Sequence, residues 1–125
     1  MNKYILITGG TGFIGSHTSL VLLKKGFRLI VIDSLVNSSD KVIKKVIELS
    51  KIKSKNFDNF IQFIEGDIRD KEFLNSVFKR YSRNNKSIKA VIHFAGLKSV
   101  YESIKLPLKY WDSNVNGTIN LLTVM

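Results

Sequence analysis

Ile5-Leu6-Ile7-Thr8-Gly9-Gly10-Thr11-Gly12-Phe13-Ile14-Gly15 decides how this chain folds. A short apolar run stops in a cluster of four glycines, and a helical pattern starts at once. Within it, Gly10-x-Gly12-x-x-Gly15 matches the spacing of a dinucleotide-binding turn, with Gly9 one further small residue ahead of it. Each glycine has a mechanical reason: a tight turn, approach of the backbone to a pyrophosphate, and close packing of helix on strand. Unpaired N–H groups at the start of the helix then face the phosphates, and the helix dipole favours the negative charge.

A glycine turn alone is weak, because glycines also punctuate ordinary loops. The second apolar run strengthens it. Leu29-Ile30-Val31-Ile32 ends in Asp33, eighteen positions after Gly15, where a carboxylate is expected to accept hydrogen bonds from both ribose hydroxyls of an adenosine. The same charge would repel a 2′-phosphate, and the following Ser34 and Leu35 supply no arginine to neutralise one. NAD is thus expected over NADP.

Composition sets the outer bounds. With 125 residues, 44% of them hydrophobic, the chain has the size of one packed domain or part of a larger one. It has no cysteine, which excludes disulfides and thiolate metal sites and is compatible with the cytoplasm. The N-terminal apolar run is much too short for a signal peptide, and no stretch is long enough to span a bilayer, so no membrane partner is expected. The net charge of +10 comes from lysines spread along the chain. They cluster between Lys41 and Lys55 without interleaved aromatics, so a solvated lysine surface is the better reading and no nucleic-acid partner is expected.

Strand and helix patterns alternate. Strands are expected at Tyr4–Thr8, Leu29–Asp33, Phe60–Glu65 and Ala90–Phe94. The first helix is expected over Ile14–Lys25, with Ile14, Thr18, Val21 and Leu22 on its packed face and Gly26 as its stop. Capping residues at Asn37–Asp40 precede a second, with Val42, Ile43, Val46, Ile47 and Leu49 as its apolar stripe. Asp70 caps a third, carrying Phe73, Leu74, Val77, Phe78 and Tyr81. A last helix runs from about Leu106 with Trp111, Val115, Ile119 and Leu122 on one side, while Lys51–Asn59 and Ser82–Ser87 read as connections. Four strand–helix pairs in this order predict an α/β fold, a Rossmann-like doubly wound parallel sheet of four units over residues 1–125. In such a sheet the ligand lies over the C-terminal ends of the strands. The loops that then form the site hold Gly9–Gly15, Asp33–Ser38, Asp67-Ile68 and Phe94–Lys98. No His, Asp or Glu cluster has metal-ligand spacing.

Three segments carry a family resemblance: Thr8-Gly9-Gly10-Thr11-Gly12-Phe13-Ile14-Gly15-Ser16-His17, Glu65-Gly66-Asp67-Ile68-Arg69 and His93-Phe94-Ala95-Gly96-Leu97-Lys98-Ser99-Val100. They resemble the extended short-chain dehydrogenase/reductases. Glu102-Ser103, Pro107-Leu108 and Asn114-Val115-Asn116-Gly117-Thr118 narrow the resemblance to the UDP-glucose 4-epimerases, over the whole 125 residues. That resemblance implies a tightly held NAD that takes a hydride from C4 of a UDP-hexose and returns it to the opposite face of a 4-keto intermediate. It interconverts UDP-glucose and UDP-galactose, a step of galactose metabolism. It also implies that Phe13 and Ile14, with Gly9, Gly12 and Gly15 around them, lie at the pyrophosphate. Asp33, Ser34, Leu35, Val36, Asn37 and Ser38 would follow the adenosine ribose, and Asp67 and Ile68 would flank the adenine. Phe94, Ala95, Gly96, Leu97 and Lys98 would run past the nicotinamide half. Ser113 stands where bacterial epimerases often place an Asn that contacts the cofactor. An ammonium at Lys98 beside the cofactor's ribose and phosphate is also favourable on electrostatic grounds.

The family's base and its helper, a Ser/Thr hydroxyl with Tyr-x-x-x-Lys, come after a fifth strand that the 125 residues do not reach. Tyr101 and Lys105 match that spacing formally but follow the fourth strand directly, without the serine-bearing strand, and are read as coincidence. No catalytic residue is therefore assigned. The chain is expected to be the N-terminal, NAD-binding part of an epimerase whose substrate domain is absent, inactive alone and dimeric in the intact protein. Two alternatives stay open: another nucleotide-sugar epimerase or dehydratase of the extended family, and a stand-alone nucleotide-binding module. His93 reads as a satisfied core histidine, His17 as a packing or hydrogen-bonding group, and Trp111 as a core or interface residue.

Overall fold

The computed structural model describes residues 2–52, 56–83 and 86–125. Positions 53–55 of the connection expected over Lys51–Asn59, and 84–85 of the loop expected over Ser82–Ser87, lie outside them. The elements follow as β1 (Asn2–Thr8), α1 (Phe13–Lys24), β2 (Arg28–Asp33), α2 (Lys41–Ser50), β3 (Ile61–Glu65), α3 (Lys71–Tyr81), β4 (Lys86–His93), α4 (Val100–Lys105), α5 (Pro107–Trp111) and α6 (Gly117–Val124). A 3-10 turn, Phe57–Asn59, leads into β3, and a wide π-type turn, Asp112–Asn116, joins α5 to α6.

All strand pairings are parallel, in the order β3-β2-β1-β4. The chain thus grows outward from β1 on both sides, which opens a crevice where the direction of winding reverses. Successive residues of a strand point to opposite faces, and both faces here are apolar. Leu6, Ile30 and Ile32 pack with Leu74, Val77 and Tyr81 of α3 and Leu121 of α6. Ile7, Leu29 and Val31 pack with Leu23 of α1 and Ile43 and Val46 of α2. Each fully buried side chain of this kind contributes about 1.5–3 kcal/mol, and the sheet interior is where they concentrate.

Five expectations need correction. β4 begins at Lys86, four residues earlier than expected, because Lys86–Ile88 pair with Asn2–Tyr4 of β1 ahead of a register irregularity between Tyr4 and Ile5. That irregularity leaves Lys89 exposed and breaks the apolar run that marked the strand. On α1 the buried residues are Gly15, Ser19 and Leu23, whereas Ile14 and Val21 are 60% and 52% exposed. Small residues face the sheet here because the helix comes too close for larger ones: a Cβ on Gly15 would lie 2.8 Å from the Gly10 Cα. Ser19 is buried without penalty because its hydroxyl donates to the Gly15 carbonyl at 2.8 Å. On α2, Leu49 is 45% exposed and Ser50 takes the inward place. At the C-terminal end, Ser99–Lys105 holds an unexpected short helix, α4, capped by the Ser99 side chain. The expected stripe of Trp111, Ile119 and Leu122 faces outward, 62%, 54% and 64% exposed, while Gly117 and Leu121 face in. The wide turn at Asp112–Asn116 adds a residue to the helical path and shifts its phase.

Candidate functional site: a cleft over the strand tips

A cleft of about 700 Å³ opens over the C-terminal ends of the four strands. Of the residues singled out from the sequence, Gly9, Gly12, Phe13, Ile14, Gly15, Asp33, Ser34, Val36, Asn37, Ser38, Asp67, Ile68, Phe94, Ala95, Gly96, Leu97, Lys98 and Ser113 all line it. Gly10 of the glycine motif does not, and neither does Leu35. Leu35 adopts φ +57° and works through its main chain, donating its N–H to Asp33 Oδ1 at 3.0 Å.

The glycine turn forms the floor. Gly9 has φ +66°, and a Cβ there would sit 2.5 Å from the Ala95 nitrogen. The turn between β1 and α1 can therefore lie against the loop after β4 only because Gly9 lacks a side chain. Gly12 precedes α1 in extended backbone, with no side-chain cap and no acidic residue in the first turn. The first-turn N–H groups of a 12-residue helix are thus left for a partner in the cleft. His17 Nδ1 lies 2.8 Å from the Phe13 carbonyl, and its ring rests on the Phe13 ring at 4.6 Å. Phe13 itself is 74% exposed at the cleft mouth.

Asp33 ends β2 almost fully buried. Its carboxylate accepts from the Thr11 N–H at 3.0 Å, the Leu35 N–H at 3.0 Å and the Ser38 hydroxyl at 3.3 Å. Three donors offset the cost of burying a charge, and they fasten the glycine turn to the loop after β2. Thr11, buried inside the glycine motif, also shares a hydrogen bond with Ser38 at 2.5 Å.

At the β3 end, Arg69 holds Asp67 in a forked pair of 2.7–3.1 Å and reaches Asp112 at 3.4 Å. The Arg69 hydrogen bonds hold the Asp67 carboxyl below its ordinary pKa. At the β4 end, Asn114 takes the Leu97 N–H at 2.7 Å and donates to the Leu97 carbonyl at 2.8 Å. This clamps the loop to the helical segment that carries Ser113. His93 Nδ1 lies 2.5 Å from the Thr8 hydroxyl and Nε2 lies 3.0 Å from the Thr118 hydroxyl, and burial lowers its pKa. Lys98 projects into the same end of the cleft and makes no hydrogen bond or ion pair among the described residues. Lys109, also on the wall, is engaged by Glu102 at 2.8 Å.

Sequence reasoning did not pick out Thr11, Arg69, Lys109 or Asn114. Three of them lie within quoted motif segments, so a signal existed; Lys109 has none. Tyr101 and Lys105 lie outside the cleft wall, with the ammonium over the ring at 4.3 Å. Among the described residues there is no group of three or more His, Cys, Asp or Glu side chains that could hold a metal. No described helix is long and apolar enough to cross a membrane.

Comparison with known proteins agrees with this geometry. The chain is 49% identical over 123 residues to UDP-glucose 4-epimerase 1 of Oryza sativa subsp. japonica, covering 98% of this chain and 32% of that protein. To the UDP-glucose 4-epimerase of Neisseria meningitidis serogroup B it is 46% identical, covering 98% and 33%. Among solved structures it is similar to the UDP-glucose 4-epimerase of Bifidobacterium longum in complex with NAD+ and UDP. There the TM-score is 0.83 and the identity 39%, with 98% of this chain and 33% of that one covered. This chain spans about a third of the length of the relatives it matches. The family described as GDP-mannose 4,6 dehydratase matches residues 6–125, and the chain belongs to that family.

Proposed function

We propose that this chain is the NAD-binding part of a UDP-glucose 4-epimerase. The observation that carries the proposal is Asp33, buried at the strand tip and bonded to the Thr11 N–H of the glycine turn. This places one carboxylate beside a row of uncapped amide donors, as an adenosine diphosphate requires. The cradle fits the group, since a side chain at Gly9 would clash with the neighbouring loop and one at Gly15 with the turn itself. Relatives crystallised with NAD support the same cofactor.

In this reading the first-turn amides of α1 take the diphosphate, with Phe13 and Ile14 beside it. Asp33 takes a ribose hydroxyl, and Ser34–Ser38 border the adenosine. Asp67 and Ile68 flank the adenine, with Arg69 fixing the carboxylate. Phe94–Lys98 and Ser113 border the nicotinamide half, where the Lys98 ammonium offsets ligand negative charge. Bound NAD would supply the hydride acceptor and donor for inversion at C4 of a UDP-hexose. The family match itself favours one second reading, a nucleotide-sugar dehydratase, which would need the same cradle. Self-association belongs to the proposal too, through the outward Trp111, Ile119 and Leu122, as does a cytoplasmic location, supported by a composition without cysteine.

Titration calorimetry with NAD and NADP tests the cofactor. NAD should bind, and NADP should bind at least about tenfold more weakly, because its extra phosphate meets the Asp33 charge. Asp33→Ala should weaken NAD by about 10- to 100-fold, the loss of a charge-assisted hydrogen bond. Equal affinity for NAD and NADP would overturn the assignment of Asp33.

A further inference from the structure

Four hydrogen bonds run in one direction beneath the cleft. The Thr118 hydroxyl donates its single hydrogen to the Asn114 carbonyl at 2.6 Å. Its oxygen therefore accepts from His93, so the imidazole carries its hydrogen on Nε2. A neutral ring then has a bare Nδ1, which accepts from the Thr8 hydroxyl. The Thr8 oxygen in turn accepts the Ala95 N–H at 3.3 Å. The Asn114 side chain closes the circuit by holding Leu97 at both its N–H and its carbonyl. The relay thus starts and ends on the backbone of the loop that borders the cleft.

We propose that His93 is a positioning residue: neutral and in its Nε2–H form, it fixes the 94–98 loop for the nicotinamide half of the cofactor through Thr8 and Thr118. The proposal rests on the NAD reading of the cleft. A second proton on Nδ1 would face the Thr8 hydroxyl donor-to-donor and turn its hydrogen away, so that the Thr8 oxygen must accept from the charged ring as well as from the Ala95 N–H, which weakens its hold on Ala95. Thr8 from β1 and Thr118 from α6 are the groups that bond the ring, and neither carries charge. Burial, with no charged neighbour contributing, disfavours the protonated ring.

Two readouts test this. Nitrogen-15 spectra of the imidazole at pH 7.5 should show hydrogen on Nε2, and the Ala95 amide signal should shift together with His93 as pH is lowered. NAD affinity should fall between pH 7.5 and 5.5 by no more than about tenfold, since the group titrates below its ordinary value of ~6.5. His93→Asn, which keeps an acceptor for Thr8 but cannot titrate, should bind NAD with that part of the pH dependence removed. His17→Gln, which removes the chain's other histidine, should retain it. Hydrogen on Nδ1, an Ala95 amide indifferent to the His93 titration, or loss of the pH dependence in His17→Gln would each overturn the proposal. The spectra stand even if His93→Asn fails to fold. If they hold while NAD does not bind at pH 7.5, the relay stands and the reading of the cleft fails.

Discussion

Lys51 and Leu35 share φ +57°, a left-handed conformation that costs a residue with a Cβ about 1 kcal/mol or more. Their surroundings differ. Lys51 is an exposed cap after α2, whose N–H bonds the Glu48 carbonyl as a glycine there would. Lys51→Gly should raise stability by about 0.5–1 kcal/mol in urea unfolding, because relieved strain exceeds the added freedom of the unfolded chain. Leu35 is strained in service of the site: that backbone aims its N–H at Asp33. At this scale the sequence was legible where close backbone approach or a strand-end carboxylate restricts residue type at a fixed spacing, as at the glycines and Asp33. It named Leu35 but not its left-handed backbone, and it was silent about Lys109, because a residue's φ and its ion-pair partner are set by what the fold brings beside it.

Helix α1 shows how an element can be read correctly and its orientation missed. Its limits and its stop at Gly26, φ +83°, agree with the sequence to within a residue. Its packed face does not, since hydrophobicity favours Ile14 and Val21 while the geometry of a tight turn favours Gly15 and Ser19. The two readings differ measurably. Val21→Ala should change stability by no more than about 0.5 kcal/mol, as for other exposed positions. Leu23→Ala, which empties a place in the core beside Ile7 and Val31, should cost about 2–5 kcal/mol in the same denaturation experiment. α3 is the contrasting case, where periodicity and burial agree at Leu74, Val77 and Tyr81. Its expected cap is present, with Asp70 accepting the Phe73 N–H at 2.9 Å. Asp70→Ala should therefore cost about 1 kcal/mol.

The cleft belongs to the molecule as a whole: no loop makes it alone, and its four walls are tied across the sheet by Asp33, Arg69, Asn114 and His93. Such cross-ties explain why the site was legible before its contacts were. Parallel winding brings all four strand ends to one edge, and the polar residues had nowhere else to meet. Binding and turnover separate at this scale. Epimerisation needs a base at the sugar hydroxyl as well as a hydride acceptor, and positioned proton transfer contributes about 10²–10⁴-fold. Among the described residues on the cleft wall there is no tyrosine, and Tyr101 lies off it with Lys105 over its ring rather than beside its hydroxyl. The 125-residue polypeptide should therefore bind NAD yet leave UDP-galactose unchanged in an assay that couples UDP-glucose formation to a second dehydrogenase. Turnover above the enzyme-free rate would mean that a group within these residues supplies the base, and Tyr101→Phe would then be the first variant to measure.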